Sequence, residues 1–240
     1  EGPDSSDHYA VNMPPTNTKN LDDSIRDLKI AWYTDGPFQP ISESVKSVVK
    51  NAVSAFRDMN CNIEKANLNF LSSLDAMGTS GKIASVEGGR DLAPLFEGKE
   101  DLLAVSMQRR LSMPKPSHEE YVQALLNRQQ IRQGFMRFFK NIDILVCPAS
   151  PVSAPNHNSV ELDVDGILTP GRTALMSTLV YDLTGAPAIS VPFGKDKNGM
   201  PIGVQLVGRH FGETTVLNAA HKLEQLSNLR ENVYGDPNQI

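Results

Sequence analysis

Cysteine is nearly absent from this chain: Cys61 and Cys147 are the only two, far apart and each in a strand-like setting. Two such thiols form no disulfide framework, no redox pair and no zinc-ligand spacing. The five histidines, His8, His118, His157, His210 and His221, are scattered without metal spacing, so no metal site is expected. No basic stripe offsets the net charge of −5, which argues against nucleic acid as a partner. No apolar run reaches transmembrane length and no stretch reads as a signal peptide, so no membrane partner is expected. The Gly-x-Ser-x-Gly elbow of α/β-hydrolases does not occur. Gly78-Thr79-Ser80-Gly81-Lys82 lacks the phosphate-loop spacing and has no strand leading into it. A reducing, cytoplasmic setting is the simplest fit to the free thiols.

What remains is ample for one large globular domain: 240 residues, 40% hydrophobic and 21% charged. The chain is organised around residues 181–211. There Leu183-Thr184-Gly185 ends a helix, and Ala188-Ile189-Ser190-Val191 reads as a short buried strand between Pro187 and Pro192. Asn198-Gly199 marks a hairpin turn. Ile202, Val204, Leu206 and Gly208 alternate with Gly203, Gln205 and Val207 on the return strand.

Upstream, residues 1–27 read as an irregular, linker-like segment rich in Pro, Asn, Asp and Ser. Glu1 stands where a methionine would begin a complete product, so the chain is expected to be part of a longer one. Residues 28–33 read as a strand. Ile41, Val45, Val48, Val49, Ala52, Phe56 and Met59 recur at helical spacing, and residues 63–66 read as a second strand. Strand, helix and strand in this length form a parallel βαβ unit, so the class is α/β.

Residues 67–116 give a weak signal, with glycines interrupting helical pieces, and are expected to form a variable lid or contact region. Ser117 and Glu120 form a capping box. It opens a long helix whose apolar face is expected to include Tyr121, Val122, Leu125, Leu126, Phe135, Phe138 and Phe139. Residues 144–147 enter a strand, 148–155 leave it as a proline-rich connector, and 156–168 read as loop. Thr169-Pro170 is expected to cap the next helix. A final helix starts at Gly212-Glu213 and turns Val216, Leu217, Ala220, Leu223 and Leu226 inward.

Three segments together resemble the C-terminal half of the amidase signature family. The first is FFKNIDILVCPASPVSAP, residues 138–155, with its prolines at Pro148, Pro151 and Pro155. LTGAPAISVPFG, residues 183–194, is similar to the family's N-x-x-G-x-P-A-x-S-x-P run, with Asp182 at the usual asparagine. NGMPIGVQLVGRHFGETTVLNAAHKLE, residues 198–224, is similar to its G-x-P-x-G-x-Q-x-x-G run and following helix. GPDSSD, residues 2–7, also resembles the segment just after the family's signature region.

The resemblance implies a mixed β-sheet flanked by helices, with residues 1–240 forming the C-terminal portion of one amidase domain. It also implies hydrolysis of a small-molecule amide by a Ser–cis-Ser–Lys triad. In that mechanism a serine attacks the carbonyl, activated through a second serine by a neutral lysine, and backbone amides hold the oxyanion. No Gly-Gly-Ser-Ser-Gly stretch is present, and Ser72-Ser73 sits among Phe, Leu and Asp. The triad is therefore expected upstream, and no residue of this chain is assigned to catalysis.

Cys147, Pro148, Ala149 and Ser150 are the candidate substrate-binding residues, at a strand's end where α/β sites gather. Cys147 is the most tempting local nucleophile, but with no histidine near it in sequence it reads instead as a small buried hydrophobe. The proline-set backbone of 148–155 suits either a pocket wall holding Ser150 or Ser153, or a plain connector. No cofactor is expected. The expected partners are the N-terminal half of the same enzyme and a second copy in a homodimer. The alternative is a non-catalytic piece, either a degenerate amidase half or a polypeptide like the amidase-type component of tRNA-dependent amidotransferases.

Overall fold

The computed structural model describes residues 21–104, 107–108, 112–157 and 159–227, with Ser6, residues 10–12, Thr16, Thr18, Lys19 and Leu229. For residues 89–93 it describes the backbone alone.

The fold is mixed α/β. The first unit is β1 (Lys29–Trp32), α1 (Glu43–Asp58) and β2 (Asn62–Lys65), with β1 and β2 parallel. Then come α2 (Ala76–Phe96), α3 (His118–Phe138) and β3 (Ile144–Pro148). The small strands β4 (Glu161–Val164) and β5 (Ile167–Pro170) precede α4 (Met176–Thr184). A hairpin of β6 (Ala188–Lys195) and β7 (Pro201–Gly208) leads into α5 (Glu213–Gln225). The main sheet has the order β2-β1-β3-β7-β6, parallel across its first three strands and antiparallel at β7 and β6.

Period-two patterning explains why this sheet is sandwiched. Ile30, Ile144, Val146, Val204 and Leu206 point to one face, where α1 and α5 cover them with Val45, Val49, Phe56, Val216 and Leu223. Ala31, Tyr33, Leu145, Cys147 and Val207 point to the other, against Ile131 and Phe135 of α3 and Val180 and Tyr181 of α4. Each fully buried large side chain contributes about 1.5–3 kcal/mol, which favours helices on both faces of a parallel sheet. Phe135 is the centre of the second layer, its ring 5.1 Å from Phe70 and 5.5 Å from Tyr181. Lys29 and Asp143 fix where β3 enters beside β1. The Lys29 amide donates to Asp143 Oδ2 at 2.9 Å, and the Asp143 amide donates to the Lys29 carbonyl at 2.8 Å.

The capping box stands as read: Ser117 Oγ accepts from the Glu120 amide, and the Glu120 carboxylate accepts from the Ser117 amide. The apolar face of α3 differs. Ala124, Ile131, Gly134 and Phe135 are buried, whereas Val122 and Leu126 are exposed. On α5, Val216, Ala220 and Leu223 are buried as expected, but Leu226 is exposed and Leu217 only partly covered.

Gly98, at φ +72°, lies just beyond the end of α2, but the other glycines of residues 67–116 do not interrupt a helix. α2 runs unbroken through Gly78, Gly81, Gly88 and Gly89, capped by Asp75, whose Oδ1 accepts from the Gly78 amide at 2.8 Å. Packing against α3 and α4 outweighs glycine's cost of about 1 kcal/mol per helical position. Residues 156–168 are not simply loop either. β4 and β5 pair from Glu161↔Pro170 to Val164↔Ile167 around Asp165 and Gly166, at φ +52° and +90°. That is the type I′ geometry Asp-Gly favours. Thr169 and Pro170 consequently end a strand, and a 3-10 turn at Gly171–Leu175 separates them from α4.

The strand at Ala188 does not stop at Pro192. β6 continues to Lys195 with a register shift between Pro192 and Gly194. Proline is tolerated there because, among the described residues, β6 is the edge of the sheet. Ala188 and Ser190 are exposed, so only the β7 arm of the hairpin is deeply buried. Asp196 and Met200 close a three-residue loop in which Gly199 takes φ +83°. Within the segment read as linker, residues 21–27 lack regular structure but are held down. The Ile25 side chain is 4% exposed, and its carbonyl accepts from the Cys61 thiol at 3.3 Å. Residues 2–5 and 7, part of the resemblance at GPDSSD, lie outside the described residues.

Candidate functional site

The carboxyl ends of β1, β2 and β3 lie on one edge of the parallel part of the sheet, where α/β folds place their ligands. Three loops leave this edge. After β1, Tyr33 and Thr34 are buried, and Gln39 Nε2 donates to the Thr34 carbonyl at 3.2 Å. The Tyr33 and Phe38 rings lie 5.4 Å apart. After β2, the 3-10 turn Asn69–Leu71 buries Leu68 and Leu71. After β3, the proline-rich segment is tied at two points. The Ser42 amide donates to the Pro151 carbonyl at 2.9 Å, and Ser153 Oγ donates to Asp196 Oδ2 at 2.6 Å.

Behind these loops lies a buried polar cluster. Cys147 Sγ is 3.6 Å from the Tyr181 hydroxyl, which is 3.4 Å from that of Tyr33. Gln205 Nε2 donates to Cys147 Sγ at 3.3 Å and to the Ser177 carbonyl at 3.0 Å. Burial pushes the Cys147 thiol up, against the pull of its hydrogen bonds from Gln205, Tyr181 and Tyr33. Burial likewise holds Tyr33 and Tyr181 well above the usual phenol range. A thiol kept protonated in an apolar layer packs rather than attacks. The second cysteine behaves alike: burial, then the nearby Asp27, pushes Cys61 up to about 11. Ser177 Oγ, buried in α4, has no hydrogen-bond partner among the described residues.

A cavity of about 770 Å³ opens at the same carboxyl edge. Tyr33, Phe38, Leu68 and Leu71 form its apolar floor, and Met77 and Met176 its flanks. Asp35, Asn69, Ser72 and Asp75 supply its polar groups.

The four residues proposed from sequence occupy different layers. Cys147 is 0% exposed and Pro148 is also buried, whereas Ala149 and Ser150 are half-buried on the connector. The fold brings that connector beside the hairpin turn through Ser153 and Asp196, but none of the four lines the cavity. The cavity residues escape sequence reasoning because they come from three distant stretches, each reading as ordinary core. The run of loops at the ends of β1 and β2 is the one available signal. Among the described residues no group of three or more His, Cys, Asp or Glu side chains is arranged to hold a metal. Burial, then the Arg132 charge, holds His210 below the usual imidazole range. His221 contacts Asp22 at 3.4 Å. No helix among the described residues is long and apolar enough to cross a membrane.

Set against known proteins, residues 1–217 match the sequence profile of the Amidase family. The chain belongs to that family. This amidase-family chain is similar to the A-type polypeptide of the glutamyl-tRNA(Gln) amidotransferase of Macrococcus caseolyticus, 28% identical over 250 residues, covering 93% of the chain and 51% of the relative. A fatty acid amide hydrolase of Medicago truncatula is 40% identical over 108 residues, 45% of the chain and 18% of that protein. Among solved structures, a bacterial aryl acylamidase of the amidase signature family superposes with a TM-score of 0.79 at 17% identity. That match covers 94% of this chain and 49% of the other, and it concerns the fold alone. The chain spans about half the length of the amidotransferase relatives it matches.

Proposed function

We propose that this chain is the C-terminal half of an amide hydrolase, cleaving carboxylic amides to an acid and ammonia or an amine. The observation that carries the reading is the family match over residues 1–217 combined with coverage of half a relative's length. The serine nucleophile, its serine relay and its neutral lysine belong to the other half. This half contributes a rigid wall. Pro148, Ala149 and Ser150 present the substrate with a backbone fixed by prolines and by the Ser42 and Ser153 hydrogen bonds. Cys147 supports that wall from behind, as a packed thiol. A reducing compartment such as the cytoplasm accords with two free buried cysteines.

Ammonia release from simple aliphatic and aryl amides tests the reading. The full-length protein should release ammonia and the 240-residue chain alone should not. A full-length protein inert toward every amide overturns it. So does activity of the chain alone that is abolished by changing one of its own residues. The relatives named as amidotransferase components favour a second reading, in which the chain belongs to one polypeptide of a larger assembly. Stable co-purification with other polypeptides, without amide turnover, distinguishes that reading.

A further inference from the structure

Val122 and Leu126, expected on the buried side of α3, instead begin a second stripe along that helix. Val122, Leu126, Gln129, Gln133 and Met136 follow one another at steps of four, three, four and three residues, and all five are exposed. That alternation is the repeat that keeps one side of a helix against a partner helix. Val122 is 40%, Leu126 47% and Met136 56% exposed. One exposed apolar residue needs no explanation, but three aligned on a single stripe do. Ala124, Ile131, Gly134 and Phe135, which hold α3 to the rest of the fold, point the other way. The stripe therefore faces outward along a helix of 21 residues, about 30 Å long.

The ends of the stripe say what covers it. One step before Val122 it carries Glu119, and one step after Met136 it carries Lys140, with Arg137 alongside; all three are exposed. The five positions between hold no charge. A helix face with an acidic start and a basic end complements a copy of itself running the opposite way. In that arrangement Leu126 meets the partner's Met136, and Gln129 meets the partner's Gln133. Val122 meets the aliphatic stem of the partner's Lys140, whose ammonium comes within a turn of Glu119. A two-fold axis makes each pairing twice. Copies running the same way would instead set Glu119 against Glu119 and Lys140 against Lys140. The glutamine layers lower affinity and fix the register, as polar residues do in a helix seam.

We propose that this face of α3 pairs with the same face of a second copy, as an antiparallel helix pair. The pairing does not depend on amide hydrolysis. One helix per copy makes a small interface, so the dimer is reversible, with a Kd on the order of 10 μM.

Cysteine cross-linking tests the pairing directly, because Cys61 and Cys147 are both buried and leave the background clear. Leu126→Cys combined with Met136→Cys should give a disulfide-linked dimer of the 240-residue chain under mild oxidation. Either change alone should not, since each position lies about 15 Å along the axis from its own copy. Sedimentation is then followed in an Ala188→Lys background, which removes the β6 edge as a competing contact. Leu126→Glu should raise Kd at least about tenfold with the far-ultraviolet circular dichroism unchanged. Glu119→Lys and Lys140→Glu should each weaken the dimer, and the two together should restore it. Absence of the cross-link, a cross-link from Leu126→Cys alone, or a dimer indifferent to Leu126→Glu overturns the proposal. So does a double charge reversal that restores nothing. The same cysteine pair should cross-link the full-length protein, and its failure there would show that the other half covers this face and would equally overturn the proposal.

Discussion

Gln205 and Cys147 are cross-strand partners on β7 and β3, and the glutamine amide donates to the cysteine thiol at 3.3 Å. The same amide reaches the Ser177 carbonyl at 3.0 Å and so ties α4 to the sheet. Cys147→Ser keeps an acceptor for Gln205 and should cost on the order of 1 kcal/mol. Gln205→Leu removes the side-chain donor to both the Cys147 thiol and the Ser177 carbonyl in the interior and should cost roughly 1–3 kcal/mol. Urea midpoints should therefore fall further for Gln205→Leu. The full-length Cys147→Ser enzyme should remain active, and its complete inactivation in a folded protein would restore the thiol to the chemistry.

Asp196 organises the turn between β6 and β7 by accepting from Ser153 Oγ and from the amides of Asn198 and Met200. The Ser153 hydrogen bond leads in holding its carboxyl below the ordinary 3.8 against desolvation, with the Met200 and Asn198 amides and the Lys197 charge helping. A folded value below the unfolded one stabilises fully above the ordinary value and loses that contribution as pH falls below it. Melting temperatures followed from about pH 6 to about pH 2 should show this acid limb, shallower in Asp196→Asn. Identical limbs in the two proteins would show that the carboxylate stabilises nothing.

Gly134 lies in α3 where a Cβ would come within 2.2 Å of the Phe70 ring. Alanine gains about 1 kcal/mol of helix propensity over glycine. Displacing a ring that stacks edge-on to Phe135 costs roughly 1–3 kcal/mol by overpacking. Gly134→Ala should accordingly lower the thermal midpoint despite its better propensity. A raised midpoint would mean the Phe70 ring moves freely.

The main sheet ends in β2 on one side and β6 on the other. β3 lies inside the sheet between β1 and β7, whereas β6 has a neighbour on one side only among the described residues. Unpaired edge groups seek a partner strand. The isolated chain should self-associate, or bind the other half of the protein when it is supplied. Ala188→Lys, at an exposed edge position, should reduce self-association in light scattering. A well-dispersed monomer at high concentration, indifferent to the added half, would refute this.

The elements legible in sequence are those whose signal is local. Ser117 and Glu120 announce α3 by a three-residue spacing, and the alternation from Ile202 to Val207 announces β7. β4 and β5 escape notice although Asp165-Gly166 carries a type I′ signature, because surrounding Asn and Asp residues mask a strand of four on each side. α2 is hidden by glycines that only tertiary packing makes tolerable. The connector at Pro148 is visible as a proline rhythm. The cavity is not, because Tyr33, Leu71 and Met176 meet only after the sheet and its helices have assembled.

The paired hydrogen bonds between Lys29 and Asp143 join positions 114 residues apart. At ribosomal rates of about 5–20 residues per second, β1 waits on the order of ten seconds for β3. During that interval β1, α1 and β2 can pair and pack, but the inner edge of β1 stays open. Synthesis of this chain thus passes through a nascent species with a bare parallel edge in the middle of its future sheet. Such a species is a substrate for chaperones that hold apolar strands.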